Sequence, residues 1–242
     1  MKIHKLIVVG MFVAGLVMVS VVDPAQAQLS SLKKGLSVGG KSEQATPAAD
    51  IDKMRADLDR SISEVGSARK LLFEAQIELA AALGVKEEAD KILSAANVLQ
   101  SGSVVTQTDV VQIESSQEPS NDLNALLSDA SASAGPLDEQ GRQHFAKGQA
   151  AFAKGLVAEA GQIAVITALA AEIKKQSGKM KSNPANAAKL AAMAVPAAKL
   201  ATLIPGDVEA GIGTYQLIKK VGADNNIAVE KIDEDKLLLG AQ

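Results

Sequence analysis

From Ile51 onward the apolar residues recur in sevens. Ile51, Leu58, Val65, Leu72 and Leu79 share one heptad position, and Met54, Ser61, Ala68, Ala75 and Ala82 share another. Large residues in one column and mostly small ones in the other predict a long helix whose seam lets a second backbone come close. Thr46-Pro47 supplies its start, a capping hydroxyl followed by proline at the first helical position, with Asp50 as a second candidate cap. Gly84 is placed to end it as a left-handed cap, and Val85 to Gln100 reads as a second, shorter helix.

Between 101 and 136 serine, aspartate and asparagine become dense, which predicts a less regular connection. Within it, Val104-Val105 and Val110-Val111-Ile113 suggest a short extended piece. Ser120 to Ser131 suggests a short helix capped by Ser120, with Leu123, Leu126 and Leu127 as its apolar stripe.

The strongest helix signal runs from Leu137 to Ser177. It holds an internal repeat: Gly141 to Lys147, then Gly148 to Lys154, then Gly155 opening a third unit. Glycine costs about 1 kcal/mol per helix position relative to alanine. Gly141, Gly148 and Gly155 fall on one face, so close contact with another helix along that face is the physical reason to tolerate them. Phe145 and Phe152, also seven apart, are expected to fill the adjoining core. From Leu156 to Ala171 only Glu159, Gln162 and Thr167 carry polar side chains, the pattern of a buried central helix. Gly178 is the expected terminator.

Asn183-Pro184 starts the next helix. It carries a second repeat, Ala187 to Pro196 and then Ala197 to Pro205. Pro196 is expected to kink or interrupt it, and Pro205-Gly206-Asp207 to form a turn and a cap. A further helix follows from Val208 to Val221, ended by Gly222, and a short one from Asp233 to Leu239, stopped by Gly240. The two longest helices, about 36 and about 40 residues, would measure roughly 54 and 60 Å at 1.5 Å per residue. The fold class is therefore all-α: an elongated antiparallel bundle of about five or six helices with coiled-coil-like Ala/Gly-rich packing. Residues 47–242 would form that single domain.

The N-terminal pattern is different. Lys2 and Lys5 precede a 17-residue uncharged run, Leu6 to Val22; Asp23-Pro24 breaks it, and Ala25-Gln26-Ala27 is an A-x-A cleavage site. Residues 1–27 read as a secretory signal peptide that leaves Gln28 first, with an uncleaved anchor as the alternative. Residues 28–46, rich in Ser, Gly and Lys, read as a flexible tether. No later stretch holds 18 uninterrupted apolar residues, so no second span is expected. The expected destination is the periplasm or the cell exterior of a bacterium.

Composition narrows the chemistry. The 242 residues carry a net charge of −3 and include 42 alanines. There is no Cys, which excludes disulfides, thiolate metal sites and a lipidated cysteine anchor. With no Trp, one Tyr, four Phe and four scattered Arg, nucleic-acid binding is not expected. Beyond the leader His144 is the one imidazole, and neither G-x-S-x-G nor H-E-x-x-H occurs. It reads as a rim histidine beside Phe145. The acidic clusters Glu87-Glu88-Asp90 and Asp233-Glu234-Asp235 lack calcium-loop spacing and suit helix N-termini. Gly211-Ile-Gly213 lacks the third glycine of a dinucleotide loop.

Lys174, Lys175, Lys179 and Lys181 form the one basic cluster, a candidate contact for an anionic surface or a counterweight to a helix C-terminus. No catalytic residue, metal site or cofactor is expected. Such exported alanine-rich helical chains resemble many bacterial envelope proteins in composition alone. The expected function is non-enzymatic: an envelope structural or accessory component acting through contact with another envelope protein or itself. The alternatives are a carrier or sensor of a lipid or other apolar ligand held between helices, and a membrane-active helical protein.

Overall fold

The computed structural model describes residues 47–96, 107–179 and 183–239, all within one compact unit, Ser37–Gln242. The expected signal peptide and tether lie outside the described residues, as do residues 97–106, Lys181 and Gly240. Every described element is a helix: α1 (Pro47–Ala82), α2 (Lys86–Ala96), α3 (Gln107–Ser115), α4 (Gln117–Ser133), α5 (Glu139–Lys179), α6 (Pro184–Asp224) and α7 (Glu234–Leu239). The architecture is an all-α helical bundle.

α1 and α5 run antiparallel with one register. A Cβ built on Gly141, Gly148 or Gly155 would lie 3.1, 3.0 and 3.1 Å from the carbonyl oxygens of Ala82, Ala75 and Ala68 respectively. Each step of seven up α5 is thus matched by seven down α1. The small column of α1 meets the glycine column of α5, and Leu72 and Leu79 straddle it, their Cγ atoms 2.9 Å from the Cβ positions of Gly155 and Gly148. Phe145 and Phe152 are each 1% exposed. α6 packs antiparallel on another face of α5: Leu156 fills the space beside Gly211, and Phe145 lies beside Gly222.

Helix ends follow local chemistry. Gly84 takes φ +78°, where a side chain would be strained. Asp138 Oδ1 accepts from Gly141 N at 2.7 Å and caps α5, while Asn183 accepts from Asn186 N at 3.2 Å and caps α6. The acidic pairs Glu87, Glu88 and Glu234, Asp235 sit in the first turns of α2 and α7.

Several expectations are corrected. Val110, Val111 and Ile113 are not extended: they lie in α3, where Val110 and Ile113 sit three apart on the buried face. Ser120 does not cap α4, which begins at Gln117; Ser116 is the junction residue. α6 is one continuous helix of 41 residues with Pro196 and Pro205 inside it, so no turn or cap forms at 205–207. Each interior proline costs about 3 kcal/mol. The buried stripe Met193, Pro196, Ala197, Leu200, Ile204, Val208 and Gly211 runs unbroken through both, and its packing overrides them. α5 continues past Gly178 to Lys179.

Nor does Gly222 end α6. It lies where the returning chain crosses, against Val229 and Ile227 O, and the helix ends at Asn225 and Asn226, the latter with φ +55°. The returning segment is strapped down by side chains. Leu137 N donates to Asn225 Oδ1 (2.7 Å), Glu230 N donates to Gln149 Oε1 (2.8 Å), and Tyr215 OH both donates to Glu230 O (2.6 Å) and accepts from Ile232 N (3.0 Å).

Finally, α5 and α6 hold 18-residue windows of mean hydropathy 1.6 and 1.5, long and apolar enough to cross a membrane by composition. Half of the α5 window and a third of the α6 window are buried inside the bundle.

Candidate functional site

The densest polar chemistry among the described residues is inside the bundle, not on its rim. Arg69 of α1 is 4% exposed and Glu159 of α5 is 1% exposed. Arg69 follows Ala68 of the small column, and Glu159 lies one helical turn past Gly155, so the register that pairs Ala68 with Gly155 also brings these side chains together. Arg69 Nε donates to Glu159 Oε1 at 3.2 Å. Nη1 donates to Ile113 O at 2.8 Å and to Ser116 Oγ at 2.6 Å, gripping the α3–α4 junction. Nη2 pairs with Asp207 Oδ2 of α6. Asp207 Oδ1 accepts from Gln117 Nε2 at 2.9 Å. One guanidinium fork therefore joins α1 to α3, to the α3–α4 junction, to α5 and to α6.

One heptad along α1, buried Gln76 donates from Nε2 to Asn124 Oδ1 (2.7 Å) and to Ser120 O (3.3 Å), tying α4 to α1. Gln162 Nε2 donates to Glu64 Oε2 at 2.5 Å. Burial holds the Arg69 guanidinium below its ordinary range, opposed by the Glu159 charge and hydrogen bond. Burial likewise pushes the Glu159 carboxyl up, opposed by Arg69. Beside these groups lies a space of about 20 Å³, lined by Arg69, Gln76, Ser120, Phe152, Glu159 and Asp207 among others. That is room for about one water and not for a lipid.

The residues singled out from sequence are placed elsewhere. Gly141, Gly148, Gly155, Phe145 and Phe152 form the α1–α5 contact described above. His144 Nδ1 is 2.6 Å from Glu78 Oε2 of α1, half-buried beside an open groove of about 480 Å³ that Ala81–Gly84, Ala134–Asp138 and Gly141 also line. Lys174 and Lys175 are exposed at the end of α5, and Lys175 pairs with Glu172 at 3.1 Å. The Lys179 side chain and Lys181 lie outside the description. Gly211 and Gly213 sit within α6, Gly211 against Leu156. Among the described residues no group of three His, Asp or Glu could hold a metal ion.

Sequence reasoning missed Arg69, Glu159 and Asp207 as a set. The usable signal was Glu159, the one charged residue in the mostly apolar run from Leu156 to Ala171, whose burial calls for a polar partner. Asp207 was hidden because Pro205-Gly206 reads as a turn. No family model matches the chain, and no curated protein or solved structure matches it.

Proposed function

We propose that this is a non-enzymatic, exported helical-bundle protein that acts through protein contacts as a structural or accessory component of a bacterial envelope. The observation that supports it most is the use of the interior. Long helices nest with glycine against carbonyl, and the space beside Phe152 is about one water in size, so the chemistry of the core is spent on joining helices. Residues 1–27 act as the signal peptide in this reading, and the mature chain begins at Gln28.

Two measurements test it. Mass spectrometry of protein recovered from an expressing bacterium is expected to give a chain beginning at Gln28; an intact Met1 chain in the cytoplasm would sink the export half. Crosslinking in intact envelopes is expected to trap a discrete partner or a second copy. A strictly monomeric protein that crosslinks to nothing would sink the contact half. A membrane-active reading is favoured by one specific feature, the apolar window of α6 that is only one-third buried. Dye release from anionic liposomes would support it; intact liposomes across pH and lipid charge would reject it.

A further inference from the structure

Among the described residues four buried side-chain oxygens accept no hydrogen bond: Asp207 Oδ2, which has Arg69 as its ion pair, Gln162 Oε1, and, with neither kind of partner at the Arg69 junction, Glu159 Oε2 and Gln76 Oε1. The Glu159 and Gln76 side chains line the same space of about 20 Å³. A carboxylate oxygen and an amide oxygen are both acceptors, so they cannot satisfy each other. A donor has to be supplied.

The charges point the same way. α1 contributes the cation Arg69, α5 the carboxyl of Glu159 and α6 the carboxyl of Asp207. The α3–α4 junction and α4 face the cluster with Ile113 O, Ser116, Gln117, Ser120, Asn121 and Asn124, all neutral. Glu64, the next carboxylate along α1, is engaged with Gln162 beyond the junction. With both carboxyls ionised, the buried junction would hold one uncompensated negative charge. Asp207 has a partner on each oxygen, Arg69 on Oδ2 and Gln117 on Oδ1. Glu159 has a partner on Oε1 alone.

We propose that the junction is a proton-and-water site: Glu159 is neutral in the folded protein at pH 7, its proton sits on Oε2, and one water in the cavity relays that hydrogen bond to Gln76 Oε1. The proton balances the charge, leaving Arg69 and Asp207 as the ion pair. The water accepts from Glu159 and donates to Gln76, which satisfies both orphaned oxygens and fits a space of one water. Desolvation, which raises the Glu159 carboxyl, acts in the same direction. Ionising Glu159 would place a second negative charge under the α3–α4 junction, so the site makes the docking of that helix pair sensitive to rising pH.

The test is infrared spectroscopy of the purified protein at pH 7. A carbonyl band of a protonated carboxyl is expected in the wild type, shifting when glutamate side chains are labelled with ¹³C and absent from Glu159→Gln. Glu159→Gln mimics the neutral form and is expected to fold, with an unfolding equilibrium within about tenfold of wild type. A wild type without the band overturns the proposal. So does a band that ignores glutamate labelling, which would put the proton on an aspartate. So does a stability that depends on sodium against choline at constant ionic strength, which would put a cation in the cavity. The labelling arm needs no variant, so it decides even if Glu159→Gln fails to fold.

Discussion

Gly148 and Ala75 meet backbone to backbone: a Cβ on Gly148 would sit 3.0 Å from the Ala75 carbonyl oxygen and 2.9 Å from Leu79 Cγ. The carbonyl belongs to a helix and cannot swing aside, so the fit fixes the separation of α1 and α5. Gly148→Ala is expected to destabilise by about 1–3 kcal/mol through overpacking, although alanine itself favours the helix by about 1 kcal/mol. Gly213→Ala, with nothing within 4 Å of its Cβ position, is expected to stabilise by up to about 1 kcal/mol. Urea unfolding of the two variants checks both signs; a Gly148→Ala protein as stable as wild type would show that the helices are free to part.

The long elements were legible because their periodicity is redundant. Gly141, Gly148 and Gly155 repeat one instruction three times, and the heptads of α1 repeat its complement. α6 was less legible: Pro196 and Pro205 are strong local breakers, and what overrides them is a buried stripe that exists only once α5 is in place. The Arg69–Glu159–Asp207 junction was least legible. Arg69 and Glu159 are 90 residues apart, and neither has a local motif to advertise the other. The α3 segment failed for a related reason, since Val110, Val111 and Ile113 favour strands by propensity while tertiary burial selects the helix.

Removing Arg69 takes the cation from two carboxyls, Glu159 and Asp207. Arg69→Ala is expected to cost about 3–5 kcal/mol, the range for breaking a buried pair from one side. Arg69→Met combined with Glu159→Leu and Asp207→Leu removes the charges together and is expected to recover most of that loss. Denaturant midpoints of the single and triple variants provide the comparison. A triple variant weaker than Arg69→Ala would show that Glu159 and Asp207 stabilise the bundle independently of the cation.

Tyr215 holds the returning chain through one oxygen that serves as donor and acceptor at once. Tyr215→Phe keeps the ring and is expected to cost about 1 kcal/mol, with loss confined to the strap. Hydrogen exchange should accelerate at Ile232 and leave α1 and α5 amides unchanged. Acceleration spread evenly over all helices would instead make the strap part of the global cooperative unit.

The pH dependence of stability follows from the same junction. The Glu159 carboxyl is raised in the folded protein above its ordinary value of 4.5, so the folded state binds that proton more tightly than the unfolded chain. The stability linked to it is fully present below pH 4.5 and is lost as pH rises through the raised folded value. Arg69 is shifted the opposite way, its guanidinium held below its ordinary range by burial. Wild-type stability is therefore expected to decline as pH rises across the interval above 4.5. Glu159→Gln removes the titrating group and should flatten that decline. Denaturant midpoints of both proteins, taken at matched ionic strength from pH 5 upward, measure the difference; an unchanged slope in Glu159→Gln would assign the pH dependence to another group.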